Sequence, residues 1–382
     1  MMKIVFFNNT LNRHQSNVAD FLYELTNGSY RYVETVSPRA DNKVGGKKQI
    51  ERPYVICAYK SQELWNEALS LACNADVAVF GAGSLPFEVK RMRTSAGLAF
   101  EVSERWLKRG WINLLSPRLL QNMWYYHTEC WKSKPLYKLC SSAYGAGDQY
   151  KLKSFEGRCY KWGYFTEVED LNIESLLDTS RSNKVSILWC ARFLKLKHPE
   201  LVIQLARRLK TKGYDVHFDM YGAGEELEPT QILCHKQNVQ DIVSFKGNVS
   251  NDEIISAMRQ HDIFLFTSDR HEGWGAVLNE AMSNGCTVVA SNSIGSVPFL
   301  IGNEKNGLIF ESGSLESLYE KVSWLIEHPQ QRRNMAINAY YTMHDIWSPR
   351  QGAMNLLQLI DDLLHGRETS ILEGPCSIAM SI

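Results

Sequence analysis

The sequence predicts an α/β protein of two doubly wound domains, and three observations carry that prediction. The chain has 382 residues, too many for one compact core and enough for two of ordinary size. Short apolar runs with strand character alternate with segments of helical periodicity, the pattern of parallel sheets covered by helices. A stretch at 176–184, polar towards its end, separates two such series and reads as a linker.

In the first series, residues 3–7 read as a buried strand. A helix over 15–25 follows, with Val18, Leu22 and Leu25 at helical spacing. Residues 76–80 and 98–102 read as further strands, and 109–142 as a helical, aromatic-rich stretch. The second series is cleaner. Strands are predicted at 185–190, 216–221, 242–245, 263–266, 287–290 and 307–310, separated by helices near 200–211, 225–237, 252–260 and 275–284. Ser250 and Glu253 make a capping-box pattern. Helices over 315–327 and 330–341 come next, then a break at Trp347, Ser348 and Pro349, then a last helix over 351–364. The expected division is a first domain at 1–175, a second at 184–346, a C-terminal helix within 347–365, and an irregular, mobile tail at 366–382.

Composition narrows the function classes. Hydrophobic residues are 44% and charged residues 22%, with zero formal net charge, so no global field recruits nucleic acid. The nine cysteines show no C-x-x-C spacing and no zinc-site pattern, which points to buried free thiols and a reducing cytosol. No apolar run reaches the length of a membrane span.

The stretch that carries chemistry is 271–285. Glu272, Gly273, Trp274 and Gly275 follow the strand at 263–266, Ala276 and Val277 open a helix, Glu280 lies within it, and Gly285 stands where a C-cap belongs. That places Glu272 and Glu280 at the carboxyl edge of a parallel sheet, where such sheets bind ligands. Backbone N–H groups near Gly275 and Val277 would suit a diphosphate. Arg192 and Lys197 follow the strand at 185–190 and would supply positive charge at the same edge. Gly222 and Gly224 follow the next strand, and Gly247 ends the one after; each lets backbone approach a ligand closely.

These residues match E-G-[FW]-G-x4-E-A-M-x-x-G, and here the chain resembles glycosyltransferase family 4. The resemblance implies a GT-B fold, two Rossmann-like domains facing across a cleft, with the C-terminal helix crossing back to the N-terminal domain. It implies a retaining glycosyltransferase that takes a nucleotide-diphosphate sugar, UDP- or GDP-linked, at the C-terminal domain and a saccharide or lipid-linked saccharide acceptor at the N-terminal one, in bacterial surface polysaccharide or glycoconjugate synthesis. Glu272 would bond the donor sugar hydroxyls and Glu280 the ribose. Arg192 and Lys197 would grip the diphosphate and stabilise the charge that grows on the leaving group. No D-x-D signature stands in a strand-end loop, so no essential metal and no cofactor is expected. Ala191 and His198 replace the glycines that usually flank the two cations, and Phe299 stands where the family often has an acid.

The first half resembles the family less. The loop after the first strand holds Asn8, Asn9, Asn12 and His14 in place of glycines, and 101–106 occupies the place of the usual mid-domain histidine. His14 and Glu104 are the acceptor-side candidates. Between Glu88 and Lys138 ten basic residues face four acids, among them Lys90, Arg91, Arg105, Arg118 and Lys138, interleaved with Trp106, Trp111, Trp124, Tyr125, Tyr126 and Trp131. Either this is a solvated basic face around buried aromatics, or it is a peripheral surface for an anionic membrane. Two other functional readings remain: a nucleotide-sugar epimerase of the same fold, and a non-catalytic sugar-nucleotide-binding protein. A Rossmann oxidoreductase is disfavoured, because no G-x-G-x-x-G follows a first strand.

Overall fold

A computed structural model describes residues 2–37, 50–178 and 184–382. Most of the expected linker, 179–183, lies outside them. The chain divides into two compact units, Met1–Glu167 with Trp347–Ile382, and Val168–Ile346.

The first unit is a seven-stranded parallel sheet. Its strands are β1 (Ile4–Asn8), β2 (Arg31–Glu34), β3 (Val55–Cys57), β4 (Val77–Phe80), β5 (Leu98–Ser103), β6 (Leu136–Cys140) and β7 (Cys159–Lys161), in the order β3-β2-β1-β4-β5-β6-β7. β1 and β4 are buried along their whole length, as central strands covered by helices on both faces must be. The helix Pro349–Leu364 belongs to this unit and packs on Arg13–Leu25. It also packs closely on the segment after β7, since a Cβ at Gly352 would stand 2.4 Å from the Phe165 ring.

Three sequence expectations need correction here. The stretch 109–142 is not helical throughout. A 3₁₀ segment Gly110–Leu115 and the helix Pro117–Thr128 give way to β6, a central strand. The tail after Gly366 is irregular but packed. Cys376 is fully buried, Lys161 N donates to Ser377 O at 2.8 Å, and Ile378 bridges to Tyr160. Residues 168–178 pack with the second unit, where the helix Ile173–Asp178 lays Ile173 and Leu176 against Gly285.

The second unit is a six-stranded parallel sheet of β8 (Val185–Cys190), β9 (Val216–Tyr221), β10 (Val243–Gly247), β11 (Ile263–Phe266), β12 (Thr287–Ser291) and β13 (Leu308–Phe310), ordered β10-β9-β8-β11-β12-β13. Trp189, Phe193, Leu205, Met220 and Leu265 centre its core. The Ser250–Glu253 capping box forms with both bonds present. In each sheet the order reverses beside the first strand, so a crevice opens at the carboxyl ends of β1 and β4 and of β8 and β11.

Arg91, counted in sequence among the surface cations, is fully buried. Its guanidinium donates to Ala72 O (2.8 Å), Ala75 O (3.0 Å), Leu98 O (2.9 Å) and Asp76 O (3.2 Å). It stitches the end of a helix to the start of two strands. Arg91→Leu leaves four carbonyls without that donor. It should destabilise the protein by about 3 kcal/mol or more, read as a lower midpoint in urea unfolding.

Candidate functional site

At the carboxyl end of β8 the chain turns sharply past β9. Gly222 has φ +129°, and a Cβ there would stand 2.0 Å from Ala191 O. Phe193 N donates to Ala223 O (2.9 Å), Glu226 N to Phe193 O (3.0 Å), and Gly222 N to Gly247 O (2.8 Å). The loops after β8, β9 and β10 are thereby fastened to one another. Within this frame Arg192 is exposed and makes no ion pair among the described residues. Lys197 is half-buried and bonds the Glu272 carboxylate.

Glu272 reaches that point from the loop after β11. Its carboxylate also accepts from Ser268 Oγ at 3.1 Å. Thr267 holds the lysine from behind: its hydroxyl donates to Lys197 O at 2.5 Å and accepts from Trp189 Nε1 at 2.9 Å. A second brace joins the same loops through Asp269, whose N donates to Leu196 O at 2.9 Å. His198 lies between Glu200 (2.7 Å) and Asp269 (3.4 Å), and the Glu200 carboxylate raises the pKa of its imidazole above the usual range.

The expected helix at 275–284 begins at Val277 and spans Val277–Ser283. Gly275 precedes it at φ +79°, where a Cβ would lie 2.2 Å from the Phe266 ring. Gly273 and Trp274 are buried. Trp274 donates Nε1–H to Asn279 Oδ1 at 2.8 Å, and its carbonyl accepts from Ser296 Oγ at 2.6 Å. The tryptophan is thus a packing anchor that fixes the loop, with Ala276 leading into the first helical turn. Glu280 lies in that turn. Burial pushes the Cys190 thiol up to about 12, the Glu280 carboxylate adds to the rise, and the Lys197 ammonium opposes it. The structure brings Lys197 and Glu272 into contact at the β8–β11 crevice, with Glu280 in the first turn of the helix that follows the Glu272 loop and Arg192 on the loop that carries Lys197.

Sequence reasoning missed Thr267, Ser268 and Trp189. The available signal was a pair of hydroxyl residues following an apolar strand at its carboxyl edge. Lys246, near the end of β10, pairs with Asp219 at 3.2 Å. Burial would raise the Asp219 carboxyl, but hydrogen bonds from His261, His217 and Lys246 outweigh it and hold the group at about 2.

In the first unit, a cavity of about 500 Å³ lies beyond β1, β4 and β5 and is lined by Asn8, Asn9, Asn12, Gln15, Glu104 and Tyr164, among others. His14 and Glu104 are linked through Tyr164. The His14 ring stacks on it with centroids 5.8 Å apart, and its hydroxyl donates to Glu104 Oε1 at 3.0 Å. Lys108 holds the other carboxylate oxygen at 3.2 Å. Under this cavity Lys138, fully buried, donates to Glu101 (2.6 Å) and Ser103 (2.8 Å) and lies 4.4 Å from the Trp106 ring centroid. Arg105 pairs with buried Asp148 at 2.9 Å. Like Arg91, these two cations are structural and leave the count of free surface charge. Among the described residues no group of three or more His, Cys, Asp or Glu could hold a metal ion.

Several solved structures resemble nearly the whole chain. Anabaena HepE in complex with UDP matches at TM-score 0.66 and 16% identity, covering 96% of this chain and 100% of that one. A glycosyltransferase from Rickettsia africae matches at TM-score 0.68 and 15% identity, covering 95% and 99%. The fold is thus that of the GT-B glycosyltransferases. Residues 178–342, most of the second unit, match the family model of the glycosyl transferases group 1. Among curated relatives, a GDP-mannose-dependent α-(1-6)-phosphatidylinositol monomannoside mannosyltransferase of Mycobacterium tuberculosis is 32% identical over 147 residues, 37% of this chain and 38% of that protein. The matches span only 28% to 38% of the length of the first curated relatives.

A smaller cavity of about 280 Å³ adjoins the first and is lined in part by Glu88, Glu101, Trp106 and Tyr126. Burial pushes the Glu88 carboxyl up to about 8; the Glu101 carboxylate raises it further and Lys138 lowers it. A carboxyl with a raised folded pKa stabilises the fold below its unfolded value near 4.5 and loses that contribution as pH climbs through the folded value. Stability should therefore fall between about pH 5 and pH 8, by up to about 1.4 kcal/mol per unit. Glu88→Gln should flatten that slope and raise the melting temperature at pH 8, which thermal denaturation at the two pH values measures.

Proposed function

We propose that the protein is a retaining glycosyltransferase that moves a sugar from a UDP- or GDP-sugar to an acceptor hydroxyl on a saccharide, in polysaccharide or glycoconjugate synthesis. The observation that carries this reading is the contact of Lys197 with Glu272 at the β8–β11 crevice, on the loop of Arg192 and just ahead of the helix that holds Glu280. A nucleotide diphosphate placed there has a bidentate cation in Arg192 and a point charge in Lys197. Glu280 beside β8 suits the ribose hydroxyls, and Glu272 suits those of the sugar, each carboxylate being able to accept two hydroxyl protons. The backbone around Gly222, Gly224, Gly247, Gly275, Ala276 and Val277 comes close to the same space.

As the glycosidic bond breaks, charge collects on the departing diphosphate, and fixed cations lower the barrier because they need no reorganisation. The acceptor hydroxyl attacks the same face, and the leaving phosphate takes its proton. The N-terminal unit presents the acceptor in its 500 Å³ cavity, with Glu104 and Tyr164 at its wall and His14 stacked on Tyr164. Support for a nucleotide donor comes from the UDP complex of HepE and the GDP-mannose specificity in the mycobacterial relative's name. The fold and the sheet-edge cations favour transfer over a non-catalytic binding role.

Arg192→Ala and Glu280→Ala should each lower donor turnover by about a hundredfold or more, with unfolding midpoints near wild type because both side chains are at least partly exposed. A thermal-shift panel of UDP- and GDP-sugars, followed by nucleotide release with candidate acceptors, measures this; wild-type turnover in Arg192→Ala would refute the assignment.

With two side-chain cations serving the diphosphate, activity should persist in excess EDTA. Complete loss restored by Mg²⁺ or Mn²⁺ would show that the charge comes from a metal instead.

A further inference from the structure

The ten cations counted between Glu88 and Lys138 do not form one surface. Arg91 and Lys138 are buried, Arg105 pairs with Asp148, Lys108 with Glu104, and Arg93 with Glu129. What remains is a narrower feature of a different kind. The 3₁₀ segment Gly110–Leu115 packs against the helix Pro117–Thr128, and both turn large apolar side chains to solvent. Leu115 is 81% exposed, Ile112 70%, Trp111 and Trp124 61% each, and Leu120 54%. In the helix, Leu119 and Tyr126 face the protein, whereas Leu120 and Trp124, four residues apart, share the outer face. A helix that is apolar on both faces at the surface of a water-soluble fold marks an interaction site.

Charge selects the occupant. Residues 109–124 contain Arg109 and Arg118 and no acid; both arginines are exposed and make no ion pair among the described residues. The nearest acids in sequence, Glu104 and Glu129, have their charges committed to Lys108 at 3.2 Å and to Arg93 at 2.6 Å. A second copy docking through this face about a two-fold axis would set the same residues against themselves, bringing arginines together with no carboxylate between them. An anionic surface meets the arginines, and a bilayer interface accepts the tryptophans and aliphatics together. The same segment lends Asn113, Ser116, Arg118, Leu119 and Asn122 to the wall of the 500 Å³ cavity, so the apolar face and the cavity share their boundary.

We propose that residues 109–124 dock the N-terminal unit on anionic phospholipid and so hold the rim of its cavity at headgroup depth. Resting on the glycosyltransferase reading, this makes the acceptor a saccharide carried on a membrane lipid, while the donor enters from the aqueous side.

Flotation of the full chain tests the docking without any knowledge of donor or acceptor. The wild type should float with phosphatidylglycerol/phosphatidylcholine vesicles at low salt and much less with phosphatidylcholine alone. The triple variant Trp111→Ser, Leu115→Ser, Trp124→Ser removes exposed apolar groups outside the cavity lining. It should lose more than about tenfold in vesicle partitioning while keeping the wild-type melting temperature and nucleotide-induced thermal shift. Arg109→Gln should lose about fivefold on anionic vesicles and nothing on neutral ones. Equal flotation of wild type and triple variant, or no flotation of the wild type, overturns the proposal. So does self-association in sedimentation velocity that the triple variant abolishes, which assigns the face to a second copy. None of these outcomes touches the donor site, which stands or falls on Arg192.

Discussion

β8 and β11 lie side by side, yet the chain leaves them in opposite directions, towards β9 on one side and β12 on the other. No crossover spans the gap at their carboxyl ends, and the two loops that leave there must face each other. The proposed donor site of the second unit follows from that reversal. The loop after β8 brings Arg192 and Lys197, and the loop after β11 brings Glu272 with Glu280 behind it. The Lys197–Glu272 bond and the Asp269–Leu196 backbone bond are cross-braces over the same gap. Both loops must lie flush, and for that reason Gly275 has no room for a Cβ against Phe266. A side chain there would lift the Glu272 loop off the sheet.

The first unit repeats the topology and uses it differently. Its β1–β4 crevice has no glycine-rich turn after β1; instead Asn8 closes on itself, its side chain accepting from Asn9 N at 2.9 Å. The cavity there is walled by amides and by carboxylates already engaged with Lys108, Tyr164 and Lys138. Such a wall offers both donors and acceptors to a polyhydroxylated ligand, with Arg118 at its margin as a cation that makes no ion pair among the described residues. The second unit instead has glycines whose backbone turns tightly beside an exposed arginine and a fixed lysine. The two sheets share a strand order, and the difference in what they suit is one of side chains at equivalent edges.

Legibility in the sequence followed burial. All six strands of the second sheet show in the sequence as apolar runs, the four interior ones because they are largely buried and the edge strands β10 and β13 because they still bury Val243, Leu308 and Phe310, and the site residues follow them at short, fixed distances. In the first sheet β2 holds Arg31 and Glu34, β3 has three residues, and β6 and β7 carry Lys138 and Lys161. Cations in a central strand break the apolar signal, and β6 was lost inside an aromatic stretch for that reason. Lys138 is tolerated there only because Glu101, Ser103 and the Trp106 ring surround its ammonium, partners that come from another strand and a loop. A reading of local periodicity has no access to such pairings. The same blindness turned Arg91, Arg105 and Lys138 into a surface patch.

Arg192 and Lys197, the two cations of the proposed donor site, are not equivalent, and their surroundings explain how they would divide the work. An ammonium has three protons to donate. Lys197 commits one to Glu272, while Thr267 and Trp189 fix its backbone, so the charge is held in one place with donors to spare for a phosphate oxygen. Its flexible stem would otherwise cost rotamer entropy on every binding event, and the carboxylate removes that cost in advance. Arg192 has no such partner and lies in solvent, where its planar fork needs less orientation for each bond it makes. On the proposed reading, Lys197 and Glu272 form a fixed bench on which the sugar and its phosphate are set, and Arg192 closes on the diphosphate from the open side. Removing Glu272 would therefore act twice, by taking away a sugar contact and by releasing the lysine that the sugar's phosphate needs.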